Sequence, residues 1–129
     1  MDGKRVVRTE SAPAPFQGAP YSQAIHAGDL VFVSGQLGLE PGHTEMVGDS
    51  IAEQTEQVMK NLGAILEAAG SGFDRIVKTT VFMTNLDDFQ GMNEVYARYV
   101  GETPPARATV EVGRLPSGAL VEIEAVALA

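Results

Sequence analysis

The chain has no cysteine in its 129 residues. That removes disulfides, thiolate zinc sites and a thiol nucleophile, and it fits a reducing, cytoplasmic setting. Histidine is nearly as scarce. His26 lies in a strand-like run and His43 in a Gly/Pro loop, without ligand spacing between them. A metal site and histidine-dependent nucleophilic catalysis are therefore not expected. Basic charge is short as well: nine Lys and Arg stand against seventeen Asp and Glu, a formal net charge of −8. Such a field repels nucleic acid and anionic membrane surfaces unless a basic patch intervenes, and only Lys4 and Arg5 are adjacent. No run approaches the roughly 20 apolar residues of a membrane span, and no apolar signal-peptide core follows Lys4, Arg5 and Arg8. Fourteen glycines include no phosphate loop of the Gly-x-x-x-x-Gly-Lys type. What is present, 44% hydrophobic and 20% charged residues, is the balance of one soluble globular domain over residues 1–129.

Residues 1–19 read as an N-terminal arm, with a short strand near Lys4–Arg8 and three prolines between Ser11 and Pro20. Strand-like runs Ser22–Ala27 and Leu30–Ser34 flank Gly28-Asp29, a hairpin turn. After a loop over 38–48, Ser50-Ile51-Ala52-Glu53 is a capping box. Val58, Leu62, Ile65, Leu66 and Ala69 then share one helical face, and Gly70 ends it. Ile76–Thr84 is β-branched and aromatic, a strand. A second helix runs from about Asp87 to Val100, with Phe89, Met92, Tyr96 and Tyr99 on its core stripe. Arg107–Val112 and Ala119–Ala127 are the last strands, joined by a turn at Pro116-Ser117-Gly118.

The order ββαβαββ argues an α+β sandwich, with two helices on one face of a mixed sheet. Two helices cover one face only. Yet Leu30 and Phe32 alternate with Val31 and Val33, so both faces are apolar and a second copy of the chain is the expected cover.

The last two strands carry the chemistry. Ala106, Ala108, Val110 and Val112 alternate with Arg107, Thr109 and Glu111; Val121, Ile123 and Ala125 alternate with Leu120, Glu122 and Glu124. If both apolar sets face the helices, Arg107, Thr109, Glu122 and Glu124 face the intersubunit side. A guanidinium among carboxylates is either a structural salt bridge or a clamp for a substrate carboxylate. Alternation leaves both open.

The wording of the chain narrows the choice. Pro20-Tyr21-Ser22-Gln23-Ala24, Val33-Ser34-Gly35-Gln36, Glu53-Gln54-Thr55 with Asn61-Leu62, Lys78-Thr79-Thr80-Val81-Phe82, Asn93-Glu94-Val95-Tyr96, Pro104-Pro105-Ala106-Arg107 and Val121-Glu122-Ile123-Glu124-Ala125 follow in this order. Together they closely resemble the RidA (YjgF-type) family of reactive-intermediate deaminases, from about Pro20 to Ala127. The resemblance implies a chorismate-mutase-like fold, a homotrimer, and sites in clefts between subunits. It implies hydrolysis of 2-imino acids such as 2-iminopropanoate and its enamine tautomer 2-aminoacrylate, released by PLP-dependent dehydratases, to 2-oxo acids and ammonia. No cofactor is implied. The family's carboxylate-binding arginine falls on Arg107 and its water-positioning glutamate on Glu122. Its pocket tyrosine, serine and asparagine fall on Tyr21, Ser34 and Asn93, with backbone groups near Gly35 and Thr109.

Three departures stand out. Thr109 replaces the frequent Cys or Ser, so thiol chemistry cannot transfer there. The usual Gly-Pro-Tyr-Ser becomes Gly18-Ala19-Pro20-Tyr21. Leu37-Gly38 replaces the common Ile-Pro, which is expected to loosen one wall of the cleft and bear on substrate range. Plainer roles also exist: Tyr21 as an interface ring, Ser34 as a strand-end turn, Asn93 as an exposed helix amide, Glu124 as a structural carboxylate or a member of an interface pair. Competing functions are a ribonuclease or translation inhibitor, and a non-catalytic trimeric module that binds metabolites.

Overall fold

Gly28, at φ 61°, supplies the left-handed residue that closes a two-residue hairpin between strands β2 (Ala24–Ala27) and β3 (Leu30–Gln36). This and every other element belong to a computed structural model that describes residues 3–129. Met1 and Asp2 of the expected arm lie outside the described residues. The short strand expected near Lys4–Arg8 is present: Lys4–Val7 form β1, paired antiparallel with β2. Helix α1 (Ile51–Ala68) starts at the capping box, with the Ser50 hydroxyl accepting from the Glu53 amide and the Glu53 carboxylate accepting from Ser50. Strand β4 is Ile76–Met83. Helix α2 (Phe89–Val100) begins two residues later than the sequence suggests, because Asn85 caps a 3₁₀ turn at Leu86–Asp88 through the Asp87 amide. Strands β5 (Ala106–Glu111) and β6 (Val121–Leu128) complete the order.

The strands form one mixed sheet in the order β1-β2-β3-β6-β4-β5, in which only β4 and β5 run parallel. Both helices pack on the same face, the expected two-layer α+β architecture. Alternation decides what they bury. Val31 and Val33, Val81 and Met83, and Val121, Ile123 and Ala125 point to Val58, Leu62, Ile65 and Leu66 of α1 and Met92 of α2.

The other face is open in a single chain. Phe32, Val110 and Leu128 stay more than 40% exposed there, far more apolar surface than isolated surface residues provide. Val110 on that face overturns one expectation. Ala106, Ala108 and Val110 point away from the helices, and Arg107 and Thr109 point toward them. In an edge strand whose two faces are both partly apolar, alternation gives the phase but not the direction. Here Arg107 pairs in register with Thr79 and Thr109 with Val81, whose side chains are buried under the helices.

Candidate functional site

Two clusters gather the residues picked out by sequence, one on each face of the sheet. The first is built at a bulge. Between Val33 and Gln36 the β3–β6 register slips, so β3 carries one extra residue at Ser34-Gly35. A Cβ on Gly35 would run into the Glu122 carboxylate, which lies in the space left by the missing side chain. Ser34 donates its hydroxyl to the Ser22 carbonyl (2.6 Å), and its amide binds the Gln23 carbonyl (2.9 Å). The Tyr21 phenol accepts from the Phe16 amide (2.6 Å), so its ring is tied to the arm. Tyr21, Ser34, Gly35, Glu122 and Glu124 line one cleft of about 410 Å³.

No Lys or Arg lines that cleft among the described residues. Its electrostatics are those of two carboxylates on one face of β6. Burial first, and then the charge of Glu124, push the Glu122 carboxyl above the usual carboxylate range. A group shifted that way holds a proton more readily, which suits an acceptor of a proton from water.

The second cluster lies under β5. The Arg107 guanidinium stacks over the Tyr96 ring (4.9 Å) and the Phe89 ring (5.5 Å) of α2. None of the described carboxylates forms an ion pair with it. The structural salt bridge left open by sequence is therefore absent among the described residues. Two residues along, the Thr109 hydroxyl is shielded and has no hydrogen-bond partner among the described residues. Asn93 sits between Phe89 and Tyr96 in the helical repeat, on the stripe that carries both rings.

The chain thus brings Tyr21, Ser34, Gly35 and Glu122 together, and separately Arg107, Thr109 and Asn93. Arg107 and Glu122 are not brought together, because β5 and β6 present them on opposite faces of the sheet. Several roles escaped the sequence reading. Glu124, assigned to structure, lines the cleft; alternation had already put it beside Glu122. Phe89, assigned to the core, is exposed and serves Arg107. Gln23 binds Thr9, Ala12 and Pro13 of the arm through its amide, and buried Asn61 donates to the Leu37 (3.0 Å) and Leu39 (2.8 Å) carbonyls. A polar residue inside an otherwise apolar stripe is the signal that finds Asn61. Leu37 lines the cleft as expected, but Gly38 does not loosen it. Gly38 is absent from the lining, and a Cβ built there would stand 3.0 Å from the Gln54 backbone in the first turn of α1.

Comparison with known proteins agrees with this architecture. A family profile described as Endoribonuclease L-PSP matches residues 9–129. A RutC family protein of Pyrococcus horikoshii is 51% identical over 96% of this chain and 97% of its own. The human 2-iminobutanoate/2-iminopropanoate deaminase is 42% identical over 97% of this chain and 90% of its own. The crystal structure of RidA from an Antarctic Psychrobacter superposes with a TM-score of 0.91 at 42% identity, covering 97% of this chain and 99% of that one. The chain belongs to this L-PSP family, the RidA (YjgF-type) proteins.

Proposed function

We propose that the protein hydrolyses reactive 2-imino acids of the 2-aminoacrylate/2-iminopropanoate type to 2-oxo acids and ammonia, in a site shared by neighbouring chains of a homotrimer. The observation that carries this reading is Arg107: a guanidinium with no carboxylate partner among the described residues, lying over two rings, beside a Thr109 hydroxyl that no described residue bonds. That arrangement offers parallel N–H donors to a planar carboxylate. The face opposite holds Glu122 in a cleft that no described Lys or Arg lines. One small substrate touches both only if Arg107 comes from one chain and Tyr21, Ser34, Gly35 and Glu122 from another. The apolar open face supplies a surface for such an assembly.

The imine carbon is already electrophilic, so positioning and one held water suffice. Arg107 fixes the carboxylate, with Asn93 and Thr109 beside it. Glu122 orients the water and takes its proton as the new C–O bond forms; the C=N π electrons become the nitrogen lone pair, which takes that proton back from the Glu122 carboxyl and leaves it ionised. The carbinolamine then collapses: its hydroxyl proton passes to nitrogen by way of the Glu122 carboxylate, the C–N bond breaks, and ammonia leaves. The supply of such imines by PLP-dependent dehydratases gives the functional partner, and nothing in the reaction calls for a cofactor.

An RNA-cleaving activity, the word in the family's description, is the second reading. The net charge of −8 and the two carboxylates of the cleft weigh against a phosphodiester backbone there. The test adds purified protein to a PLP-dependent serine or threonine dehydratase and follows 2-oxo acid formation. Wild type should accelerate it, and Arg107→Ala should lower kcat/KM by about a hundredfold or more, since a buried charge contact is lost. No acceleration by wild type overturns the proposal, and carboxylate binding without turnover would leave a metabolite-binding module in its place.

A further inference from the structure

We infer that Tyr96, held by Thr79, is a positioning residue for Arg107, an inference that rests on the proposed carboxylate-binding role of Arg107. Thr79 on β4 and Arg107 on β5 are direct partners in the parallel ladder. Both side chains lie on the helix side, where the Thr79 hydroxyl meets the Tyr96 hydroxyl at 2.7 Å. Thr79 and Tyr96 are 1% and 5% exposed, so this hydroxyl pair is shielded from water and fixes the ring with little freedom. The same ring carries the Arg107 guanidinium on its face at 4.9 Å. Ladder, hydroxyl pair, ring and guanidinium therefore close into one unit that ties the arginine head back to its own backbone neighbour.

The use of a ring rather than a carboxylate matters chemically. An ion pair would occupy the N–H donors that a substrate carboxylate needs, whereas stacking holds the plane and leaves its edge free. A long, flexible arginine is in this way oriented before substrate arrives, and the ordering loss on binding is smaller. Phe89, a more exposed ring, lies 5.5 Å from the same guanidinium and carries no hydroxyl to anchor it.

The test separates ring from hydroxyl. Tyr96→Leu removes the stacking face, while Tyr96→Phe and Thr79→Val each remove only the hydroxyl pair. Tyr96→Leu should raise KM for the imino acid about tenfold with kcat changed less than about threefold, the pattern of lost carboxylate binding. Tyr96→Phe and Thr79→Val should each raise KM about threefold, and the double variant no further, because both break one bond. Independently of activity, the heteronuclear NOE of the Arg107 Nε–H should fall in Tyr96→Leu. If Tyr96→Leu does not fold, the Tyr96→Phe/Thr79→Val cycle decides: additive effects, or none, overturn the inference. A folded Tyr96→Leu with unchanged KM and unchanged Arg107 order overturns it as well. If wild type hydrolyses no imine, the proposed function falls, and the NOE alone decides whether Tyr96 orders Arg107.

Discussion

A carboxylate half-buried beside a second carboxylate destabilises the folded chain whenever it is ionised, and Glu122 is such a group. Its folded-state pKa lies above the ordinary 4.5. Below pH 4.5 the group is protonated in both folded and unfolded chains and no penalty exists; the penalty enters as pH rises through the folded value. Glu122→Gln should therefore melt at a higher temperature than wild type at pH 7. The difference should vanish in melts below pH 4.5, while imine hydrolysis at pH 7 drops by about a hundredfold or more. Gly35 tests the same carboxylate from the other side. Its backbone lies outside the left-handed region, so alanine meets no conformational strain, only the Glu122 side chain. Gly35→Ala should push the carboxylate aside and lower kcat about tenfold, about 1.4 kcal/mol of barrier, with little change in melting temperature.

At the scale of elements, a long loop is held by few bonds. Residues 37–48 have no regular secondary structure, yet Leu37 and Leu39 are buried beneath Phe16, Met46 and Leu115. Asn61 on α1 ties this segment down by two carbonyls, and Gln54 bridges the Gly48 carbonyl and the Leu120 amide. Asn61→Leu should cost about 2–4 kcal/mol in urea unfolding, because two buried acceptors lose their donor. Had the loop other anchors of equal weight, the loss would stay under about 1 kcal/mol. The helices were legible because Ser50–Glu53 and the spacing of Val58, Leu62 and Ile65 are local signals. Strands β2, β3 and β4 were legible from β-branched alternation. The direction of β5 was not. Ala106, Ala108 and Val110 look like a core set, and only pairing with β4 reveals that the charged set lies under α2. Sequence thus named Arg107 and Glu122 without placing them on opposite faces, since that separation is a property of sheet order.

For the whole molecule, that separation predicts the behaviour of mixed assemblies. Arg107→Ala and Glu122→Ala chains are each expected to be inactive. If the two are unfolded together in equal amounts and refolded as the proposed trimer, three quarters of random trimers should contain both, with one intact site in three. Activity should return to about a quarter of wild type. A site built within one chain would give no recovery, and the chain mass in light scattering reports the assembly directly. A further consequence concerns light. With no tryptophan, Tyr21, Tyr96 and Tyr99 hold all the intrinsic emission of the chain. Tyr99 bonds the Glu56 carboxylate, and burial together with that bond pushes its phenol up to about 12. The bond to a carboxylate is expected to weaken Tyr99 emission, so Tyr21 in the cleft and Tyr96 beneath Arg107 should supply most of the signal. Tyrosine emission should therefore change when a small carboxylate reaches the proposed site, a readout that needs no label.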